Sequence, residues 1–236
     1  MGRLLLVGNS RWHWGQRHDD RLHCWHEPAA AAAVNLRAES TSLLADLEAW
    51  ACVGALPAGL VLPQGRRILL PQVPLRGLPP WLGIDRALVG WRAWCRQGQG
   101  PVLVADAGTC LSLTRIDADG QFRGGRLSAG LALQLRSLGQ GTANLPQQLD
   151  PLVSPDDPWP AATEAAMLQG CLQACSAAVL QGVRDLAADQ PWQLWLTGGD
   201  AQRLEPELRR RGLQPRLAPD LALEALAALA AAAPLS

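Results

Sequence analysis

Hydrophobic and polar positions in the first hundred residues predict a mixture of strands and helices. Leucines and a tryptophan at helical spacing predict a helix from Ser40 or Thr41 to about Cys52. A second helix is predicted from Gly83 to about Arg96, after a proline-rich irregular loop over 71–80. Strands are predicted at 3–7, 11–14, 22–25, 59–62 and 68–70.

The second half of the chain repeats this alternation. A glycine-rich break at 97–101 separates it from the first half. Helices are predicted at 131–141, 162–188, 201–211 and after Asp220. Strands are predicted at 102–105, 111–116, 192–196 and 213–217, and a further strand ends at the pair Gly124-Gly125. Strands and helices alternate in both halves, so the fold class is predicted as α/β, with one half over 1–100 and the other over 101–236.

Composition and charge narrow the function classes. The 236 residues carry 21 basic and 21 acidic side chains, so no broad basic surface argues for a nucleic-acid partner. Only five apolar residues follow Arg3 before Asn9, which is unlike a secretory signal, and no apolar run approaches the roughly 20 residues of a membrane span. The sequence therefore predicts a soluble cytoplasmic protein without a membrane partner.

Cysteine and histidine spacing gives no metal signature. The six cysteines form no CxxC pair, and Cys171 and Cys175 would stack on one face of a helix. We interpret them as small buried hydrophobic residues in a reducing compartment, against the alternative of a metal or redox site. The four histidines near the N-terminus match no metal-site spacing, and a structural role is favoured for them too.

Three glycine turns are candidates for phosphate binding. In Asp106-Ala107-Gly108-Thr109, the glycine lets the backbone approach an anion, the threonine offers donors, and the aspartate can hold a cation. The N-terminal run Leu4–Asn9 echoes this pattern, with Gly8 at the place of Gly108 and Leu6 at the place of Asp106. The third turn, Thr197-Gly198-Gly199-Asp200, lies between a strand and a helix, where backbone N–H groups can meet a nucleotide. Two echoing copies indicate a duplicated domain.

This order of motifs resembles type III pantothenate kinase, a member of the acetate and sugar kinase/heat-shock chaperone/actin superfamily. The resemblance covers nearly the whole chain. It implies duplicated ribonuclease-H-like domains with a cleft between them. It also implies ATP contacts from Gly8, Asn9 and Ser10 in the N-terminal hairpin, from Thr109, and from Gly198 and Gly199.

The other motifs imply the acceptor site and the cofactors. Gly83-Ile84-Asp85-Arg86 matches the family's Gly-x-Asp-Arg, which binds pantothenate and whose Asp accepts the proton. Thr142 in Thr142–Pro146 corresponds to a substrate-binding threonine. Asp106 corresponds to the ligand of a monovalent cation, K⁺ or NH₄⁺, used together with ATP and Mg²⁺. The resemblance further implies a homodimer.

Three positions depart from the family pattern. In Ala129-Gly130-Leu131, Ala129 stands where the family's Pro-Gly-Leu motif has its proline. Leu6 stands where the family has an acidic residue near the triphosphate, and Ser10 replaces a threonine but keeps its hydroxyl. The chain also has no tyrosine, so none can contact pantothenate.

The resulting expectation is an enzyme that phosphorylates pantothenate to 4′-phosphopantothenate, the first step of coenzyme A biosynthesis. Leu6 keeps open the alternative of a catalytically impaired relative that acts as a regulatory or binding protein. A kinase of the same superfamily acting on another small hydroxy acid or sugar is a third possibility.

Overall fold

A computed structural model describes residues 2–19, 21–38, 46–146, 157–186 and 191–232. The strands are β1 Arg3–Val7, β2 Arg11–His18, β3 Arg21–Pro28, β4 Leu47–Cys52, β5 Val102–Ala107, β6 Cys110–Ile116, β7 Phe122–Ala129, β8 Gln193–Thr197 and β9 Arg216–Leu217. The helices are α1 Ala29–Ala38, α2 Ile84–Arg96, α3 Leu131–Gly141, α4 Thr163–Arg184, α5 Ala201–Arg210 and α6 Leu221–Ala232. The α/β prediction is confirmed.

The chain divides into two compact units. The first unit comprises residues 1–99, 120–122 and 220–236, and the second comprises residues 100–119 and 123–219. The last helix, α6, therefore belongs to the first unit, whereas residues 101–236 were expected to form one half. Helix α6 belongs to the first unit because its leucines are buried in the core of that unit. These are Leu223, Leu226 and Leu229, which share this core with Leu4 of β1 and Ala49 of β4.

The first unit contains a four-stranded sheet in the order β3-β2-β1-β4. β1 pairs antiparallel with β2 and parallel with β4. One face of this sheet packs against α2 and α6, and the other face carries a second core around Trp12 and Trp50 with α1.

The second unit contains a five-stranded sheet in the order β7-β6-β5-β8-β9. β5 pairs antiparallel with β6 and parallel with β8, which repeats the arrangement of β1, β2 and β4. Its core includes residues from α3, α4 and α5, such as Leu131, Leu172 and Leu204. The two hairpins that the sequence relates by their glycines thus occupy equivalent places in their own sheets.

Several local predictions were wrong. Residues 47–52, assigned to the end of a helix, form strand β4, and the start of that predicted helix lies outside the described residues. Pairing on both sides of Trp50 decides this, because β4 runs beside β1 while Arg67 bridges its other side. The strands expected at 59–62 and 68–70 are absent from this described region, which contains two short 3₁₀ turns, Gln64–Arg66 and Leu70–Gln72. Helix α1 was not predicted.

Helix α4 is long and apolar enough to span a membrane by length and composition alone. Half of its most apolar stretch is buried, however, within the core of the second unit. Its residues Leu168, Cys171, Leu172 and Val179 face the sheet and neighbouring helices, as in the core helix of a globular domain.

Candidate functional site

The second unit brings together three glycines, Gly108, Gly130 and Gly198, at the end of β5. Asp106 lies near the carboxyl end of this strand and pairs in register with Thr197 of β8. The backbone N–H of Gly108 donates to the Cys110 carbonyl at 3.1 Å and closes the hairpin turn. The N–H of Gly130 donates to the Thr109 carbonyl at 3.0 Å, which fastens the start of α3 to the same turn.

Close backbone approach makes two of these glycines obligatory. A Cβ on Gly130 would lie 2.8 Å from the Thr109 carbonyl oxygen and closer still to that of Gly108. Gly198 has a φ of +91°, and a Cβ there would lie 2.6 Å from the Ala107 carbonyl carbon and would collide with Asp106 Oδ1. The turn between β8 and α5 thus lies directly against the Asp106 carboxylate.

Asp200 completes this group, which we call the glycine cradle: Asp106, Gly108, Gly130, Gly198 and Asp200. The Asp200 N–H donates to the Ala107 carbonyl at 2.9 Å, and its carboxylate accepts from Arg203 Nη1 at 3.3 Å. Asp106 adds a carboxylate, the oxygen ligand that hard cations prefer. Sequence reasoning had assigned no role to Gly130 and Asp200, although both belong to motifs it recognised, because only the folded chain shows which turns touch.

A small apolar pocket adjoins the glycine cradle and is lined by Ala107, Leu131, Cys175 and Leu204, among others. Burial raises the pKa of the Cys175 thiol to about 11, so this sulfur stays protonated and unreactive at neutral pH. Three cysteines are buried as expected: Cys52, Cys171 and Cys175. Cys24 and Cys95 are only half-buried, and Cys110 is exposed on the hairpin turn. Within the described ranges, no cluster of three metal-ligating side chains occurs.

Thr142 stands apart from the glycine cradle on the chain. It follows the last turn of α3, an 11-residue helix that begins beside Gly130. Its hydroxyl donates to the Leu138 carbonyl at 2.7 Å, and its side chain is exposed. A helix of this length spans about 16 Å, so α3 separates Thr142 from the glycine cradle.

The first unit carries the other predicted residues in the turn after β1 and at the start of α2. Gly8, Asn9 and Ser10 form the turn between β1 and β2, where the Gly8 N–H donates to the Arg11 carbonyl at 3.1 Å. Leu6, at the root of this turn, is 6 % exposed and belongs to the same core cluster as Ile84 at the start of α2. The Gly-x-Asp-Arg segment therefore begins against the strand that carries the N-terminal hairpin.

Asp85 occupies the first turn of α2. Its Oδ1 accepts a 2.9 Å hydrogen bond from the Arg86 backbone N–H, and a Cβ on Gly83 would lie 2.5 Å from the same oxygen. A side chain at position 83 would therefore have to displace this carboxylate. Burial raises the pKa of Asp85, against the opposing effect of the Arg86 N–H and guanidinium. The Arg86 guanidinium lies 5.7 Å from the centre of the Phe122 ring.

Sequence comparison identifies the family. Residues 77–185 match the profile of type III pantothenate kinase. A type III pantothenate kinase of Synechococcus elongatus is 36 % identical over 240 residues, covering 90 % of this chain and 95 % of that protein. Another, from Synechococcus sp. strain JA-3-3Ab, is 37 % identical over 231 residues, covering 94 % of this chain and 89 % of that protein.

The chain belongs to the type III pantothenate kinase family. Solved structures support its fold at lower identity. A Baf family transcriptional activator of Campylobacter jejuni, described as putative, superposes with a TM-score of 0.61 at 18 % identity, with 98 % of each chain covered. A 2-dehydro-3-deoxygalactonokinase protein of Sinorhizobium meliloti, also described as putative, gives the same score and identity over 98 % of this chain and 99 % of that one. The kinase-type fold expected from the sequence is confirmed.

Proposed function

We propose that this protein transfers the γ-phosphoryl group of ATP to the primary hydroxyl of pantothenate and so makes 4′-phosphopantothenate for coenzyme A biosynthesis. The observation that carries the proposal is the identity to type III pantothenate kinases along nine-tenths of the chain. Both the Gly-x-Asp-Arg and the Asp-x-Gly-Thr motifs are intact in this chain, at residues 83–86 and 106–109.

Phosphoryl transfer depends mainly on positioning and on stabilising charge, and the glycine cradle suits these tasks. Its glycines let the turns pack closely around the Asp106 carboxylate, which is suited to a K⁺ or NH₄⁺ ion near the phosphates. In the proposal, the ATP contacts are made by Thr109, Gly198 and Gly199 and by Gly8, Asn9 and Ser10. Mg²⁺ bound with ATP would supply neutralisation of the phosphate charge.

Asp85 is proposed as the proton acceptor. Its carboxylate needs to reach the acceptor hydroxyl late in the reaction, and a pKa raised by burial makes it a better base than an ordinary aspartate. Arg86 suits the substrate carboxylate or a phosphoryl oxygen, because its planar fork donates two parallel hydrogen bonds. Gly83 and Ile84 shape the backbone of this acceptor site, and Thr142 is proposed as a further pantothenate contact.

A coupled assay of ADP release with ATP, Mg²⁺ and pantothenate tests the proposal. We expect turnover that depends on K⁺ or NH₄⁺, with Na⁺ as the comparison. The control is the same reaction with a sugar or another hydroxy acid in place of pantothenate. Absence of turnover with every cation, in protein shown to be folded by circular dichroism, would contradict the kinase assignment.

The alternative of a non-catalytic regulator rests on Leu6 alone, and the relatives give it no support. We further propose that the enzyme works in the cytoplasm as a homodimer, as the family resemblance implies. Light scattering of the purified chain during size-exclusion chromatography tests the dimer, and a mass of one chain, 25.2 kDa, would overturn that part of the proposal.

A further inference from the structure

The residue that replaces the family's acidic group has a polar neighbour across the sheet. Leu6 pairs directly with His13 of β2, and His13 pairs directly with His26 of β3. Directly paired residues project from the same face of a sheet, so these three side chains form a row next to the turn at Gly8. In this row, the buried side chain of Leu6 is followed by the imidazole of His13.

Arg11 extends this polar surface toward the turn. It is the first residue of β2, immediately after Ser10, and two residues before His13, which places both side chains on one face of the strand. Arg11 is exposed and forms no ion pair with any side chain that the structure describes. Its charge nevertheless reaches the neighbouring imidazole, because burial, His26 and Arg11 together lower the pKa of His13 to about 4.

We propose that Arg11 and His13 bind the triphosphate of ATP directly. They would replace the acidic side chain that the family has at the position of Leu6. This inference rests on the proposed function, since it assumes that the turn at Gly8, Asn9 and Ser10 faces ATP. An acidic residue at position 6 would act on the phosphates through a cation. A guanidinium and an imidazole N–H instead donate to the phosphate oxygens themselves.

The chemistry of the two side chains supports this assignment. A guanidinium that pairs with none of the described side chains can bind two phosphate oxygens in the bidentate geometry that suits it. The imidazole of His13 is neutral at pH 7, so one ring nitrogen carries hydrogen and the other does not. The affinity for ATP should therefore depend less on Mg²⁺ than it would if a carboxylate held the phosphates through a cation.

Equilibrium binding of ATP, measured by calorimetry on the full chain, tests the proposal. The variants are Arg11→Gln and His13→Leu, and the matched controls are Arg21→Gln and His23→Leu. Both control residues are exposed and belong to the neighbouring strand β3, where the pairing places them on the opposite face. Adenosine, which lacks the phosphates, serves as the second ligand, and ATP is titrated both with Mg²⁺ and with excess EDTA.

We expect Arg11→Gln to weaken ATP binding about tenfold or more and His13→Leu to weaken it severalfold, as loss of a hydrogen bond to a charged group predicts. His13→Gln keeps an N–H donor and should restore most of the affinity. Adenosine affinity should stay unchanged in every variant, and the loss of ATP affinity should persist in EDTA.

Two results would overturn the proposal. The first is ATP affinity within twofold of wild type in both variants. The second is an equal loss of ATP and adenosine affinity, which would show that the change is in the fold of the hairpin. Neither result involves pantothenate or turnover, so failure of this inference is distinguishable from failure of the kinase assignment.

Discussion

Asp85 derives its properties from the point at which α2 begins. The helix places the carboxylate over Gly83, where a larger residue would collide with it, and burial makes ionisation of Asp85 less favourable than in water. A carboxyl group in such a place is costly to the fold and useful to a reaction that needs a base. This residue therefore carries two separate predictions.

The first prediction concerns turnover. Asp85→Asn removes the proton acceptor but keeps the size of the side chain, so we expect kcat to fall by roughly 10²–10⁴-fold while ATP affinity is kept. Steady-state kinetics and calorimetry measure the two quantities. Asp19→Asn is a matched control, because Asp19 has a φ of +51°, which asparagine tolerates well, and it lies on the exposed β2–β3 turn. An Asp85→Asn enzyme with near-normal kcat would show that another group takes the proton.

The second prediction concerns stability against pH. Because the folded-state pKa of Asp85 is raised, its contribution to stability is greatest below the unfolded pKa, about 4, and is lost as pH rises through the folded pKa. At pH 7 the wild-type protein therefore bears the cost of a buried charge that Asp85→Asn avoids. We expect a higher Tm for Asp85→Asn at pH 7 and a smaller difference at pH 4, both measured by differential scanning calorimetry. A Tm difference that grows on acidification would contradict this account.

Gly198 carries a third prediction, because crowding and backbone conformation both act there. Gly198→Ala must relieve a collision with Asp106 and Ala107, and we expect a loss of about 1–3 kcal/mol in the free energy of unfolding together with weaker ATP binding. Gly212→Ala separates the two effects, since Gly212 has a φ of +82° but no atom within 4 Å of the added Cβ. Urea denaturation and ATP calorimetry should show weakened binding for Gly198→Ala only.

At the scale of elements, the packing of α5 against α4 depends on one buried carboxylate. Glu207 is 4 % exposed, accepts a hydrogen bond from Gln173 Nε2 on α4 at 3.2 Å, and pairs with Arg210 at 2.5 Å. Arg211, which follows the last residue of α5, donates from its guanidinium to Gln173 Oε1. The four groups form a small polar network between two helices that also share buried hydrophobic residues of one core.

Removing Glu207 leaves Gln173 and Arg210 without their shared acceptor. We expect Glu207→Ala to lower the free energy of unfolding by about 2–4 kcal/mol, as for other broken buried pairs. Glu205→Ala on the same helix breaks only its partly exposed pair with Arg209, worth about 0.5 kcal/mol. Urea titrations of both variants test this contrast, and equal losses would show that burial of Glu207 contributes nothing extra.

Strand β4 shows why some elements could not be identified from their own residues. Its six residues are almost all buried, and a short apolar run of this kind fits a buried parallel strand and a helix face equally well. Pairing with β1, more than forty residues earlier in the chain, decides between them. The helix α2, in contrast, was identified correctly because its apolar residues recur at helical spacing over 13 residues and a glycine precedes them.

At the scale of the molecule, the C-terminal residues 220–236 belong to the first unit, although residues 123–219 before them belong to the second. Helix α6 completes the core over β1 and β4, and Glu224 in its first turn binds Arg92 and Arg96 of α2 at 3.3 and 3.0 Å. Helix α6 thus supports the helix that carries Asp85. The local sequence of the alanine- and leucine-rich segment after Asp220 does not predict which unit this segment joins.

Truncation after Pro219 tests this organisation. We expect the first unit to lose its cooperative fold, because the buried residues of α6 account for a large part of one face of its core. The second unit should keep its own hydrogen exchange protection, since its core contains no residue of α6. Hydrogen exchange of the truncated chain, compared region by region with the full chain, gives the answer. Equal loss of protection in both units would contradict the independent cores.

The sequence by itself determined the fold class and the family, and it is the source of the proposed reactive groups. Those features depend on residue type and on spacing within a few positions, as in Gly83–Arg86 and Asp106–Thr109. The tertiary structure decided which turns meet, that Gly130 and Asp200 belong with Asp106, that Leu6 has His13 beside it, and that α6 joins the first unit. These are contacts between distant parts of the chain, and only packing and strand pairing choose among the partners that a local pattern allows.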